Sequence, residues 1–175
     1  MLRKMRSEEF DGVYGIMESS FPADEIRPHD EQKERLSREN YVIYVTPSKN
    51  GRVGAFITVY DFPGFAFVEH FAVAEDFRGG GIGSRMLGEL KETVKKRICL
   101  EVEPPETETA KRRIAFYERN GFTLNRYPYT QPPISAGRNA IPLMIMTTDG
   151  AVTEEEFGAM KKTLHRKVYG AENFG

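Results

Sequence analysis

The chain has 175 residues, 39% of them hydrophobic and 29% charged, and its formal net charge is -1. This length suits one domain with a sizeable core, and the nearly neutral charge offers no broad basic surface for nucleic acid or for an anionic membrane. The single cysteine, Cys99, excludes an internal disulfide and a cysteine-based metal cluster, and we expect no metal site.

The first half of the chain predicts a short strand and two helices, followed by three longer strands. Residues 1–6 alternate weakly, residues 10–21 carry apolar side chains at helical spacing, and residues 28–37 predict a polar helix. The three longer strands are predicted at residues 41–46, 53–60 and 65–74. Asn-Gly and Pro-Gly turns separate these strands, which favours an antiparallel meander.

The second half predicts alternating helices and strands. The helices are predicted at residues 82–94, 108–119 and 154–169. The strands are predicted at residues 98–102, 122–127 and 141–147, and a long connection rich in proline and glycine, residues 128–140, joins the last two. The sum is a mixed α/β fold with a central, largely antiparallel sheet. We expect a single domain over residues 1–175, of which residues 151–175 form a C-terminal helical extension.

The most informative stretch is the turn between the last strand of the meander and the next helix, Arg78-Gly79-Gly80-Gly81-Ile82-Gly83. A pyrophosphate needs several backbone N–H donors, and the start of a helix supplies them together with a favourable dipole. Glycine allows the backbone to approach a ligand closely, and Arg78 adds a charged donor. The stretch lacks the ending of a Walker A motif and the glycine spacing of a dinucleotide fingerprint. A flexible turn without a ligand is the alternative.

Two segments together resemble the GNAT superfamily of acetyltransferases. Residues 71–83 are similar to that family's cofactor motif, Arg/Gln-x-x-Gly-x-Gly/Ala after a strand that ends in valine, and residues 113–122 are similar to its later Tyr-x-x-x-Gly-Phe signature. The two segments occur in the family's order, with a predicted strand between them. The resemblance implies the family's fold, in which one strand pair is splayed, and an N-acetyltransferase that uses acetyl-CoA as its acyl donor.

The resemblance also implies which residues would hold acetyl-CoA. The backbone of the splayed strand would pair with the pantetheine arm, the turn would bind the pyrophosphate through its amides, and the later helix would line the far side of the thioester. The implied set is Phe71, Ala72, Val73, Arg78, Gly79, Gly80, Gly81, Ile82, Gly83, Ser84, Arg113 and Phe116.

We expect Glu69 to be the general base that removes the acceptor's proton, directly or through water. It interrupts an apolar strand, and by alternation it shares a face with Phe67 and Phe71, where burial should raise the pKa of its carboxyl. The resemblance agrees, since many members place a glutamate shortly before the cofactor valine. A glutamate at the solvent edge, or one paired with an arginine, is the alternative. His70 would point to the opposite face as a structural histidine, and a proton shuttle is the alternative.

Tyr117 is the expected general acid. It occupies the tyrosine position of the later signature, where members of the resembling family protonate the departing thiolate. Protonation of the leaving group is one of the tasks that acyl transfer to an amine requires. A tyrosine that only packs against its helix neighbours is the alternative.

The acceptor is expected to be the primary amine of a small molecule. Glu101 and Glu103 alternate with apolar residues at a strand end and can face an ammonium group, although a solvated strand end explains them equally well. Phe21 and Glu25 follow the first helix, a region that forms one substrate wall in the resembling family. Tyr129 lies in the long proline-rich connection, and such loops often shape pockets.

The rival hypothesis is a CoA-binding sensor or regulatory domain without turnover, and the presence of Glu69 and Tyr117 favours the enzyme. Apolar runs are too short to cross a bilayer and the start lacks a secretory signal, so we expect a cytoplasmic protein. We expect neither a nucleic-acid partner nor a membrane partner, and a homodimer is compatible with the resemblance.

Overall fold

A computed structural model describes residues 1–174, so the last position of the predicted 151–175 extension lies outside the described residues. The chain divides into two compact units, Met1–Ile98 and a second unit that begins at Cys99. The expectation of a single domain stays a prediction.

The first unit contains an antiparallel run of strands. In chain order the strands are β1 (Arg3–Lys4), β2 (Tyr41–Pro47), β3 (Val53–Phe62) and β4 (Phe65–Val73). Each strand pairs with the next one in the chain. The helices are α1 (Phe10–Ser20), α2 (His29–Glu34) and α3 (Ile82–Val94). The predicted polar helix is shorter than expected, because its last residues form a separate 3₁₀ turn, Arg35–Ser37.

The core of the first unit forms where the helical stripes meet β3 and β4. Phe56, Ile57 and Phe67 on the strands are fully buried, and so are Val13 and Met17 on α1. Burying such side chains contributes about 1.5–3 kcal/mol each, which offsets the conformational entropy lost on folding. The apolar residues whose spacing predicted α1 are therefore the residues that α1 buries in the core.

A β-bulge interrupts β4 at Glu69. Thr58 on β3 lies opposite His70, and the next residue, Val59, lies opposite Val68, so Glu69 is an extra residue on its strand. The backbone N–H of His70 donates to the Thr58 hydroxyl at 2.8 Å. An extra residue resets the alternation of side chains along a strand. Simple alternation therefore does not determine the face on which the side chain of Glu69 lies.

The second unit is also mixed α/β. Its strands are β5 (Arg97–Val102, of which Cys99 onwards belongs to this unit), β6 (Thr123–Gln131) and β7 (Ile141–Thr147), and β7 pairs antiparallel with both others. Its helices are α4 (Glu108–Arg119) and α5 (Glu154–Thr163), the latter followed by a π-helical turn, Leu164–Val168. Cys99 is fully buried, as expected for a core residue.

Strand β6 is longer than predicted. The sequence placed its end at residue 127 because Pro128 cannot donate to a sheet ladder. The strand instead continues to Gln131, through a register irregularity between Asn125 and Tyr129 that contains the proline. Tyr129 therefore lies on a strand and not in a loop. The fold class itself, a mixed α/β fold built on antiparallel strands, is confirmed.

Candidate active site

The turn after β4 is built by three successive glycines. Gly79, Gly80 and Gly81 have φ values of 97°, 60° and 70°, and Gly81 is the N-cap of α3. This left-handed region costs other L-residues roughly 1–2 kcal/mol each, which explains the run of glycines. A Cβ at any of the three would meet no heavy atom within 4 Å. The turn is therefore open above its backbone.

The amides of this turn are available to a ligand. Among residues 1–174 no hydrogen-bond acceptor is found for the backbone N–H of Gly79, Gly80, Gly81, Gly83 or Ser84. The N–H of Ile82 donates within the turn to the carbonyl of Gly79 at 3.4 Å. A helix start with exposed donors and the positive end of the helix dipole fits an anionic phosphate group.

Two arginines flank the turn. The Nε of Arg78 donates to the carbonyl of Val73 at 3.2 Å, which ties the side chain to the end of β4, and its guanidinium is exposed. An Nη2 of Arg85 lies 3.5 Å from the carbonyl of Gly80. A groove of about 370 Å³ adjoins the turn, and its lining includes two cations, Lys49 and Arg85, and one carboxylate, Glu89. The local charge therefore complements a phosphate although the net charge of the chain is -1.

The residues before the turn are fixed by a close packing contact. The backbone N–H of Ala74 donates to the carbonyl of Gly54 at 2.8 Å. The ring of Phe77 lies over Gly54 so closely that a Cβ there would be 2.3 Å from the ring. Glycine is thus required at position 54 for a reason the sequence pattern did not reveal.

Glu69 is paired with an arginine, which is the alternative that the sequence left open. Its Oε1 lies 2.8 Å from Nη1 of Arg27, and the two side chains are 1% and 0% exposed. Burial raises the pKa of the Glu69 carboxyl, but Arg27 and His70 lower it by a larger amount. The resulting pKa is about 2. The expected raised pKa is therefore wrong, because the interactions with Arg27 and His70 together outweigh desolvation.

His70 lies beside Glu69 and not on the opposite face, a second correction that follows from the bulge. Its Nδ1 lies 3.5 Å from Oε2 of Glu69, and its Nε2 lies 2.7 Å from the carbonyl of Glu25. A carbonyl only accepts, so Nε2 carries a proton. The ring of Phe21 packs edge-on against the imidazole at 5.0 Å. The buried imidazole thus contacts Glu69, Glu25 and Phe21.

Arg27 is the main residue of this cluster that sequence reasoning missed. Its Nη1 also lies 3.3 Å from Oε1 of Gln32, whose Nε2 donates to the Tyr41 hydroxyl at 2.7 Å. The Tyr14 hydroxyl donates to the Arg27 carbonyl at 2.9 Å. Arg27 and Gln32 stand among charged and polar neighbours in the sequence, and no apolar spacing marks them as fully buried.

Tyr117 is held in the second unit by the end of helix α4. Gly121, with φ 83°, allows the N–H of Phe122 to bond the carbonyl of Tyr117 and the N–H of Gly121 to bond that of Glu118, both at 3.0 Å. This is a Schellman motif, and the rings of Tyr117 and Phe122 contact at 5.5 Å. The Tyr-x-x-x-Gly-Phe signature therefore encodes a helix end that fixes the tyrosine.

The chemistry of Tyr117 follows from burial. Burial raises the pKa of its hydroxyl to about 12, although Arg113 opposes this shift. The hydroxyl makes no hydrogen bond within residues 1–174. Its ring contacts that of Phe116 at 5.3 Å, and an Nη1 of Arg113 lies 3.9 Å from Oε1 of Glu103. The hydroxyl stays protonated near neutral pH and is free to donate.

Glu101 is held by two tyrosines of the same unit. The hydroxyl of Tyr129 donates to its Oε1, and that of Tyr169 lies 2.9 Å and 2.7 Å from its two carboxylate oxygens. Tyr169 caps the π-helical turn and was not singled out by the sequence. The solvated strand end considered for Glu101 is therefore wrong, since two hydroxyls fix its carboxylate.

Two further findings concern residues 1–174 as a whole. They include no group of three or more histidine, cysteine, aspartate or glutamate side chains placed to hold a metal ion. None of their helices combines the length and the apolar composition that a bilayer span requires.

Comparison with known proteins identifies the family. The sequence model of the Acetyltransferase (GNAT) family matches residues 10–122. YjbC of Bacillus subtilis (strain 168), assigned as an acetyltransferase, is 29% identical over 155 residues, which cover 86% of this chain and 78% of that protein. A solved structure from Bacteroides thetaiotaomicron, assigned to the GNAT family, is 35% identical with a TM-score of 0.86 and covers 98% of this chain and 99% of its own.

A more distant structure shows the same fold. The phosphinothricin acetyltransferase of Sinorhizobium meliloti, a GNAT protein solved in complex with AcCoA, has a TM-score of 0.63 at 18% identity, over 88% of this chain and 91% of its own. The family match covers both the glycine turn and Tyr117. The chain therefore belongs to the Acetyltransferase (GNAT) family and is an acyl-CoA-dependent N-acyltransferase.

Proposed function

We propose that the chain transfers the acetyl group of acetyl-CoA to a primary amine of a small molecule. The observation that carries the proposal is the run of open amides from Gly79 to Ser84 at the start of α3. The distant GNAT relative solved with AcCoA supports the choice of donor. The amides and Arg78 would hold the pyrophosphate, and the backbone of Phe71, Ala72 and Val73 would hold the pantetheine arm.

Acetyl-CoA, when bound, supplies an acyl group already activated as a thioester. The chain must then protonate the departing thiolate, and Tyr117 is the residue that we propose for this step. Its hydroxyl has a pKa of about 12 and no hydrogen-bond partner within residues 1–174. It is therefore protonated at neutral pH and can donate to sulfur. On the same helix, Phe116 would line the thioester and Arg113 would supply positive charge to the phosphates of the cofactor.

Glu69 is the residue that we propose as the base, on the condition that its ion pair with Arg27 opens. A carboxylate with a pKa of about 2 takes a proton from an ammonium group poorly, because the ideal catalytic pKa lies near the working pH. Loss of the Arg27 contact would leave burial as the dominant effect and raise this pKa. Substitution of Glu69 by glutamine should then abolish the rise of the rate with pH.

The residues that we propose to contact the acceptor are Phe21, Glu25, Glu101, Glu103 and Tyr129. The carboxylate of Glu101, oriented by two tyrosine hydroxyls, suits an ammonium group. A homodimer and a cytoplasmic location remain predictions.

The test is an acceptor panel with a matched pair of glycine variants. The chain is incubated with acetyl-CoA and a panel of primary amines, and free thiol is followed. We expect thiol release that requires an amine. Gly81→Val should abolish cofactor binding, whereas Gly64→Val, at a turn with a similar φ of 89° but away from α3, should keep it. Tight CoA binding without amine-dependent release would favour the sensor hypothesis instead.

A further inference from the structure

Three polar atoms at the bulge of β4 are buried and lack a hydrogen-bond partner within residues 1–174. They are Nδ1 of His70 and both carboxylate oxygens of Glu69. The 2.8 Å contact between Oε1 of Glu69 and Arg27 is an ion pair without the alignment of a hydrogen bond. Buried polar atoms without a partner are rare in native proteins and costly, so these three require an explanation.

The tautomer of His70 follows from its contact with the backbone carbonyl of Glu25. Nε2 lies 2.7 Å from that oxygen, which can only accept, so Nε2 carries a proton. In a neutral imidazole this leaves Nδ1 as an acceptor. Nδ1 lies 3.5 Å from Oε2 of Glu69, which is longer than an ordinary hydrogen bond. Two acceptors therefore face each other, and a proton placed between them would join them.

Of these two acceptors, the imidazole is the better place for a proton. Burial raises the pKa of the Glu69 carboxyl, but Arg27 and His70 lower it more, to about 2. Histidine, in contrast, is the side chain that most often serves as a general base. A proton that reaches Oε2 of Glu69 is therefore more stable on Nδ1 of His70, because the ionised carboxylate then stabilises the imidazolium.

The other charged and titratable groups around the pair keep their protonation near neutral pH. Arg27 lies 2.8 Å from the carboxylate of Glu69, whose charge also acts on Arg35, and guanidinium groups stay protonated. The hydroxyls of Tyr41 and Tyr60 stay neutral, because burial and the charge of Glu69 raise their pKa values. Among these groups, proton exchange is therefore confined to Glu69 and His70.

The pair lies close to the surface of the first unit. The side chain of Glu69 is 1% exposed although the residue as a whole is partly exposed, so its backbone reaches solvent at β4. Phe21 and Glu25, which contact the imidazole, are also partly exposed. Both were proposed above to contact the acceptor. Residues that touch solvent on one side and His70 on the other therefore separate the pair from the acceptor by one layer.

We propose that His70 receives the proton that the amine loses, and that Glu69 passes this proton to Nδ1. His70 acts through Glu69 and is therefore a positioning residue of the reaction. The inference rests on the proposed acetyl transfer to an amine. It gives Glu69 a route that does not require the ion pair with Arg27 to open, because the carboxylate does not have to keep the proton.

The protons balance over the reaction. The nitrogen of a primary ammonium group carries three protons, and the amide product keeps one. The first proton passes through Glu69 to Nδ1 of His70 and is later released to water. The second leaves the nitrogen as its bond to the acyl carbon forms and the carbon–sulfur bond breaks. It replaces the proton that the proposed acid, Tyr117, gives to the thiolate.

A first experiment uses His70→Gln, because the amide nitrogen of glutamine can take the position of Nε2 and keep the bond to the Glu25 carbonyl. Glutamine cannot take up the proton, so kcat/KM for the amine should fall by about 10²-fold or more and its rise with pH should disappear. The KM for acetyl-CoA should not change. His29→Gln, at an exposed histidine that lies 2.8 Å from Asp11, is the control and should keep the rate and its pH dependence.

His70→Asn separates proton transfer from packing. Asparagine is too short to reach the Glu25 carbonyl, so a purely structural role predicts that His70→Asn loses activity and that His70→Gln keeps it. The proposal predicts that both variants lose the rise of kcat/KM with pH. A His70→Gln variant that keeps this rise would overturn the proposal and return the base to Glu69 alone.

A third experiment needs no acceptor and separates failure of this inference from failure of the proposed function. The chain has three histidines, so the ring ¹⁵N signals can be assigned by NMR with His29→Gln and His70→Gln. We expect a protonated Nε2 and a bare Nδ1 in His70, and uptake of a proton by Nδ1 as the pH falls while the chain stays folded. This result without acetylation of any amine would keep the proton pair and count against the proposed function alone. A proton that stays on Nδ1 at every pH, or a Nδ1 that never takes one up, would overturn the role of His70.

Discussion

At the scale of single residues, the buried ion pair between Arg27 and Glu69 should contribute to the free energy of unfolding. Removing one partner of a fully buried pair leaves the other charge uncompensated, which typically costs about 3–5 kcal/mol. We therefore expect Glu69→Gln to lower the free energy of unfolding by about this amount, measured by urea denaturation. The double variant Arg27→Met with Glu69→Leu should recover most of the loss.

The control is an exposed pair. Lys111 lies 3.0 Å from Glu108, and the two side chains are 54% and 75% exposed. Lys111→Gln should change the free energy of unfolding by no more than about 1 kcal/mol, since water screens such pairs. A similar small effect in Glu69→Gln would contradict the buried pair.

The low pKa of the Glu69 carboxyl should make the stability of the fold depend on pH. The folded pKa of Glu69 is about 2 and the usual value is 4.5. Because the folded pKa is the lower one, the stabilisation is complete above the usual value and is lost as the pH falls toward 2. The urea midpoint of the unmodified chain should fall over this window, and that of Glu69→Gln should fall less. Parallel curves for the two proteins would show that Glu9, whose pKa near Arg3 is also about 2, and other carboxylates dominate acid unfolding.

If Tyr117 is the general acid, its hydroxyl should be needed for a high kcat. Tyr117→Phe should lower kcat by up to about 10²-fold to 10⁴-fold, because the departing thiolate loses its proton donor. The affinity for CoA and the stability should change little, since the hydroxyl makes no hydrogen bond within residues 1–174. Tyr127→Phe, which removes a bond to the Val152 carbonyl at 3.2 Å, serves as the matched control and should keep kcat. Unchanged turnover in Tyr117→Phe would refute the assignment of the acid.

At the scale of elements, helices were predicted more accurately than the irregularities of strands. Helical spacing in residues 82–94 and 108–119 gives the observed bounds of α3 and α4, because the apolar stripe of each helix is set by its own sequence. The bulge at Glu69 depends instead on the hydroxyl of Thr58 across the sheet. A period-2 pattern in one strand contains no information about such a partner, so the surroundings of Glu69 could not be predicted.

The affinity of the glycine turn for CoA should depend on the 3₁₀ turn before it, which packs against Gly54. Gly54→Ala would place a methyl group against the ring of Phe77 and push the 3₁₀ turn Glu75–Phe77 out of position. The affinity for CoA, measured by isothermal titration, should fall because the amides of the turn lose their alignment. Gly88→Ala on α3 has free space around the new methyl and should leave the affinity unchanged. An unchanged affinity in Gly54→Ala would show that the turn holds its shape without this contact.

At the scale of the whole molecule, some functional residues could be predicted from the sequence and others could not. The glycine turn and Tyr117 are local motifs, since the turn needs left-handed glycines and the tyrosine needs the helix end at Gly121. Arg27 and Tyr169 acquire their roles only through partners distant in the chain. Tyr129 and Tyr169 also lie beyond the residues that the family model matches. The chemistry of the donor was therefore predictable, and the recognition of the acceptor was not.

The charge distribution of the whole chain should determine how strongly CoA binding depends on salt. With a net charge of -1, the chain must attract an anionic cofactor by local groups, and backbone amides carry no net charge. We expect the Kd for CoA to rise only about 3-fold to 10-fold between 0.05 and 0.5 M NaCl, as a few exposed cations are screened. The double variant Arg78→Gln with Arg85→Gln should bind more weakly and lose most of this salt dependence, because these two side chains flank the turn. The affinity that remains at high salt measures the contribution of the amides. A double variant that keeps the full salt dependence would place the charge that attracts the phosphates elsewhere in the chain.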